Sequence, residues 1–101
     1  MRRAAKVDAN QRQVVAALRG AGATVQLLHA VGEGCPDLLV GHLGVNYLLE
    51  VKDGQKPPSA QKLTPQQEIW HQDWRGHRVV VNSPEAALAA IGVIVVSGHI
   101  S

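Results

Sequence analysis

Residues 34–54 read GCPDLLVGHLGVNYLLEVKDG. Two apolar runs, 38–40 and 46–52, flank His42-Leu43-Gly44, and that spacing predicts a β-hairpin. With the turn centred between Leu43 and Gly44, Asp37 and Glu50 are equidistant from it and fall opposite each other. Residues directly opposite in an antiparallel pair share a face, with Cβ atoms about 4.5–5.5 Å apart. Glu50 and Lys52, two residues apart, share that face as well, and Val51 turns to the other layer. A one-residue slip would break this arrangement. The hairpin therefore proposes two carboxylates and one ammonium on one patch of a sheet that otherwise reads as core.

Each residue alone has an ordinary explanation. Asp37 is a turn residue after Pro36, and Glu50 with Lys52 is a same-face pair on a solvated strand. As a set the three are harder to explain, because opposed carboxylates repel each other across a strand pair. A hard divalent cation would remove that cost. Mg²⁺ takes oxygen ligands, commonly one or two carboxylates with waters and substrate phosphate. Bound there, it would orient a phosphodiester and lower the pKa of an attacking water, and Lys52 would stabilise the developing charge or help deprotonate the water.

Outward from the hairpin, Asp8 with Gln11 three residues on reads as a helix start, and Val14, Val15 and Leu18 continue at helical spacing until Gly20 or Gly22. Residues 24–28 form a β-branched, apolar first strand, and 31–34 a Gly-rich turn. After the hairpin, 53–62 is a Pro- and Lys-bearing loop. Thr64-Pro65 with Gln67 opens a second helix with a capping-box pattern, and Ile69, Trp70 and Trp74 give it an apolar face. Residues 78–81 read as a fully buried strand. Ser83-Pro84-Glu85 opens a third helix that Gly92 closes, and 93–96 is a last strand or an apolar tail. The order α-β-β-β-α-β-α predicts an α/β layer fold with a mixed sheet in a single domain over 1–101, with a basic arm at 1–7 and an apolar tail at 93–101.

The chain has 101 residues, is 46% hydrophobic and carries a net charge of +2. That composition argues against disorder, and no apolar run approaches the roughly 18–20 residues that span a bilayer. The basic N-terminus lacks an apolar signal core, and the single Cys35 fits a reducing cytoplasm. With no Phe, one Tyr and two Trp, a base-stacking platform for single strands is not expected.

The set Pro36-Asp37 and Glu50-Val51-Lys52 across a hairpin resembles the PD-(D/E)XK nuclease signature. The stretches LLHAVGEGCPDLLVG, NYLLEVKDG, KPPSAQKLTPQQ and the following WRG resemble one branch of it, the VRR-NUC domains. These are often small phage or bacterial proteins similar to Holliday-junction resolvases. The resemblance runs over 8–91. It implies a restriction-endonuclease-like αβββαβ core and a Mg²⁺- or Mn²⁺-dependent endonuclease acting on DNA, with branched DNA such as four-way junctions as the favoured substrate. The expected setting is the cytoplasm of a bacterial or phage-infected cell. It implies that Asp37 and Glu50 hold the metal with the Val51 main-chain carbonyl, that Lys52 is the catalytic lysine, and that Gln67 faces the active site. Gln67 is equally well explained as the capping-box residue. The family's first helix usually supplies a glutamate near the metal. This chain has Gln13 at the matching position, with Gln11 nearby, which leaves the fourth metal-shell residue open.

Other residues are weaker candidates. His29 would contact phosphate, or is a half-buried strand-end histidine. Lys56 and Lys62 would clamp a DNA backbone, or belong to a solvated loop. Arg2, Arg3 and Lys6 would act similarly, or only solubilise. The five His and lone Cys35 show no zinc-ligand spacing. Cys35 reads as a small packing residue. Trp70 and Trp74, one turn apart, read as core or interface. One active site per chain makes a two-fold homodimer the natural assembly for cutting two strands, with the apolar tail or the Trp-bearing helix as interface. Alternatives are a nuclease for nicked, flapped or linear DNA, a DNA-binding module that kept the fold and lost turnover, and an interaction protein with no nucleic-acid role.

Overall fold

The computed structural model describes residues 9–93, so the expected cap Asp8, the basic arm and residues 94–101 of the apolar tail lie outside the described residues. Eight elements follow in order: α1 (Ala9–Gly20), β1 (Thr24–Leu27), β2 (Leu38–His42), β3 (Val45–Val51), a 3₁₀ turn (Pro58–Gln61), α2 (Pro65–Asp73), β4 (Arg78–Val81) and α3 (Pro84–Ala90). The four strands form one sheet in the order β1-β2-β3-β4, with β1–β2 and β2–β3 antiparallel and β3–β4 parallel. This is the α/β mixed-sheet fold in αβββαβ order. Among the described residues no helix is long and apolar enough to cross a membrane.

The hairpin register is the one the sequence predicts. His42 pairs with Val45 and Leu38 with Leu49, so the next residues in line are Asp37 and Glu50. The two-residue turn puts Leu43 at φ 50° and Gly44 at φ 81°, the left-handed pair that a tight hairpin demands. Leu43 is an odd choice there: it is 87% exposed, and a non-Gly residue in this region costs about 1–2 kcal/mol. Leu43→Asn should therefore stabilise the fold by about 1 kcal/mol and raise Tm by about 4–8 °C in a thermal melt. No gain would mean that the turn is not under strain.

The core lies on one face of the sheet. Val14, Val15 and Leu18 of α1 and Ala87 of α3 meet Leu38, Val40, Leu49 and Val81 there, with Ile91 closing the far side. Val51 also packs against this cluster, as alternation along β3 requires. The parallel β3–β4 pair needs a crossover connection, and α2 supplies it on the opposite face, beside Glu50 and Lys52. That face is only partly covered: Leu39 and Val80 are exposed on it. For this reason β4, expected to be buried on both sides, buries only Val81 fully. It is an edge strand with one packed face.

One further expectation is revised and another narrowed. The loop 53–62 contains the 3₁₀ turn Pro58–Gln61, where Pro58 sits at the first helical position and its ring presets φ. Of the two readings open for Trp70 and Trp74, core or interface, the first does not hold, since neither belongs to the core cluster. They stack on each other at 4.7 Å between ring centroids, with 16° between planes, and Trp74 is exposed. Both caps are as expected. Thr64 accepts from the Gln67 N–H at 3.2 Å while the Gln67 side chain accepts from the Thr64 N–H at 2.9 Å, and Ser83 accepts from the Ala86 N–H at 3.0 Å.

Candidate active site

The first position to explain is Asp37. Pro36 lacks an N–H and is fully buried, so the β2–β3 ladder cannot continue through it. The ladder ends at Leu38, and the side chain of Asp37 takes over: its Oδ2 accepts the N–H of Val51 at 2.8 Å. The main-chain carbonyl of Asp37 accepts from the Leu28 N–H at 2.7 Å. Asp37 is thus tied on two sides, to β3 and to the end of β1. In an extended strand a residue's N–H and C=O point to the same side, so the Val51 carbonyl lies on the Asp37 side.

Glu50 stands beside it on β3. Its side chain is only 3% exposed. Gln67 Nε2 donates to Glu50 Oε2 at 3.1 Å, and Lys52 Nζ lies 3.7 Å from the same oxygen. Glu50 Oε1 is buried with no hydrogen-bond partner. Burial, then the neighbouring charge of Asp37, push the Glu50 carboxyl up to about 8, against a smaller opposing pull from Lys52. Lys52 Nζ donates to Gln67 Oε1 at 2.8 Å. The main chain at Lys52 is fixed as well: its N–H donates to Val81 O at 2.8 Å, and its carbonyl accepts from Asn10 Nδ2 at 2.8 Å.

Asp37, Glu50, Lys52 and Gln67 therefore come together. The two readings of Gln67 are both realised, because one amide has two ends. Oε1 closes the capping box and receives Lys52, and Nε2 holds Glu50. Gln13 does not join them. It is exposed and lines a polar cavity of about 390 Å³ with Asn10, Gln55, Asn82, Ser83 and Glu85. Gln11, not Gln13, lies on the buried stripe of α1 with Val14, Val15 and Leu18. His29 is half-buried with Nδ1 unpartnered. Lys56 and Lys62 are exposed on the segment that follows β3. Burial, then Glu50 and Asp37, raise the Cys35 thiol, which fits a packing residue and not a nucleophile.

Two residues at the site were not anticipated. Asn10 anchors the residue that follows β3 to α1. His71, one turn after Gln67, is buried with Nε2 unpartnered. Burial, then Arg78 and Lys52, lower its pKa, so it stays neutral at pH 7. Its spacing from Gln67 put it on the inner face of α2.

Among the described residues no group of three or more His, Cys, Asp and Glu is placed to hold a metal ion. Two carboxylates with a main-chain carbonyl nevertheless suit a hard cation that keeps several waters. The observation that fits is the buried, unpartnered Glu50 Oε1, an acceptor beside a second carboxylate. A carboxyl raised this way favours its protonated form in the folded state. Between about 4.5 and 8 the folded protein then binds more protons than the unfolded one, and stability falls as pH rises. In chelator, the melting temperature should fall between pH 5 and pH 8, by a stability change on the order of 3 kcal/mol. Mn²⁺ should restore more at pH 8 than at pH 5, and a flat profile in both conditions would contradict the burial assigned to Glu50.

A buried carboxyl and a half-buried one with a lysine at the ends of neighbouring strands, and an amide from the crossing helix, define a class: an α/β domain with a charged, hydrogen-bonded site on one face of a mixed sheet. A solved structure described as a VRR_NUC domain superposes on this chain with a TM-score of 0.60 and 29% sequence identity, covering 80% of this chain and 88% of that one. No family model and no curated protein matches the chain. The chain shares the fold of that VRR_NUC domain, a nuclease-family fold.

Proposed function

We propose that this chain is a metal-dependent DNA endonuclease of the PD-(D/E)XK kind, hydrolysing phosphodiester bonds in branched DNA such as four-way junctions. The observation that carries the reading is the single hydrogen-bonded patch of Asp37, Glu50, Lys52 and Gln67, with one buried carboxylate oxygen left over. Asp37, Glu50 and the Val51 carbonyl would hold Mg²⁺ or Mn²⁺. When bound, that ion supplies an activated water and neutralises charge on the phosphate and leaving oxygen.

The protein's own residues do the rest. Asp37, locked to the Val51 N–H, cannot swing away from Glu50. Gln67 fixes one oxygen of Glu50 and leaves the other without a hydrogen-bond partner. The same amide holds the Lys52 ammonium, whose position beside the carboxylates suits it to stabilise negative charge on the attacked phosphorus centre. Gln67→Ala should lower cleavage by about 10–100-fold and also weaken α2 by the loss of the capping-box partner, about 1 kcal/mol. Gln67→Glu should keep the cap and still lose activity, because it puts a third carboxylate against Glu50. Full activity in Gln67→Glu would remove the bridging role.

One site per chain cannot cut two strands at once, so symmetric junction cutting requires two copies. The rival reading is a DNA-binding module without turnover. The packing of two carboxyls against a lysine argues against it, since carboxylates facing phosphate weaken binding unless a cation sits between them. The test of substrate class is a panel of end-labelled four-way junction, flap, nicked and linear duplex DNA. Paired symmetric incisions in the junction, with linear duplex spared, support the branched-DNA reading. Equal cutting of every substrate refutes it and leaves a nuclease without structural preference.

A further inference from the structure

We propose that the outer face of α2 is a docking groove for an arginine-bearing segment of a partner protein. Gln66, Ile69, Trp70, Asp73 and Trp74 recur at helical spacing on that face, and with Glu33 they line a groove of about 480 Å³. Ile69 is 61% exposed and Trp74 45% exposed. Apolar area of this kind, left open on a helix whose inner face carries Gln67 and His71, marks a contact surface.

The groove's chemistry selects the occupant. Its lining includes the stacked Trp70–Trp74 pair, and its charged residues are two carboxylates, Glu33 and Asp73, with no lysine or arginine among the lining. In a chain of net charge +2, this is a local reversal of sign. A planar guanidinium stacks on an indole face and pairs with a carboxylate at once, and a compact ammonium does only the second. Phosphate would be repelled by both carboxylates, so the groove is not part of the DNA track. A two-fold contact between copies through this face would bring two acidic patches, each with Glu33 and Asp73, together, which disfavours a second copy as occupant.

The chain's two tryptophans both line this groove, so its own fluorescence reports the event. The probes are a hexapeptide alternating glycine and arginine, its lysine and glutamate counterparts, and duplex DNA in chelator. The arginine peptide should give a saturable change in tryptophan emission. The lysine peptide should bind roughly threefold more weakly. The double variant Glu33→Gln, Asp73→Asn should lose about tenfold in affinity with an unchanged circular dichroism spectrum. Overturning results are no saturable change with the arginine peptide, equal response to the glutamate peptide, or a double variant that binds as tightly as the parent. Emission that answers to DNA alone would assign the groove to nucleic acid, and emission that answers to protein concentration alone would assign it to a second copy; either overturns the proposal. Because the readout needs no cleavage, it stands or falls separately from the nuclease reading.

Discussion

Lys52→Ala should abolish DNA cleavage while leaving the fold intact. The expected loss is at least about 10²–10³-fold, the scale for removing one group that stabilises transition-state charge. The fold survives because little else depends on the ammonium. Gln67 Oε1 still closes the capping box through the Thr64 N–H, and the main-chain bonds of Lys52 to Val81 and Asn10 do not involve its side chain. One electrostatic change accompanies the loss. Lys52 is the group that pulls the Glu50 carboxyl down, so its removal pushes Glu50 further toward the protonated form and weakens Mn²⁺ binding near neutral pH. Lys52→Arg separates charge from geometry, because it keeps the positive charge but replaces a compact ammonium with a planar fork. Comparable cleavage by Lys52→Ala and the parent, at matched folded fraction, would remove the lysine from the chemistry.

The largest effect on stability should come from Gly34→Ala. Gly34 adopts φ 82°, and a Cβ there would lie 2.5 Å from the Gln66 carbonyl oxygen and 3.2 Å from Trp70 Cβ. The left-handed conformation alone costs about 1–2 kcal/mol for a non-glycine residue, and the overlap is with helix backbone, which cannot rotate aside. We expect a loss of about 3 kcal/mol and a fall in Tm of more than about 10 °C. The loop and α2 are pressed together at this point, two residues before Pro36 and one before Gln67. The substitution should therefore lower cleavage even below the transition, by moving Gln67 away from Glu50. A melting temperature within a few degrees of the parent would show that the loop can move off α2 freely.

What the sequence revealed and what it withheld follow from the range of the interactions. The hairpin register was legible because side chains alternate with period two and a two-residue loop leaves one pairing. The observed Leu38–Leu49 pair extends to Asp37 and Glu50. Both helix caps were legible because they are local. The double role of Gln67 was hidden because the cap and the site looked like competing uses of one side chain, when its two ends serve both. Gln11 was within reach: with Val14, Val15 and Leu18 it completes a buried stripe at helical spacing, a signal that favoured it over Gln13. His71 was within reach too, one turn from Gln67. Asn10 was not, since its bond to the Lys52 carbonyl spans 42 residues and leaves no local trace. The exposure of the tryptophans was equally invisible, because an apolar helix face serves a core and an interface alike.

The central claim is that this patch hydrolyses phosphodiester bonds with a divalent cation. The most direct measurement incubates the protein with end-labelled four-way-junction DNA in Mn²⁺, in Mg²⁺ and in chelator, with Asp37→Asn and Glu50→Gln alongside. The account predicts cutting with either metal, none in chelator, and loss in both variants. Cutting that persists in chelator or in either variant would contradict the site assigned here, and no cutting with either metal on any DNA would contradict the enzymatic reading itself.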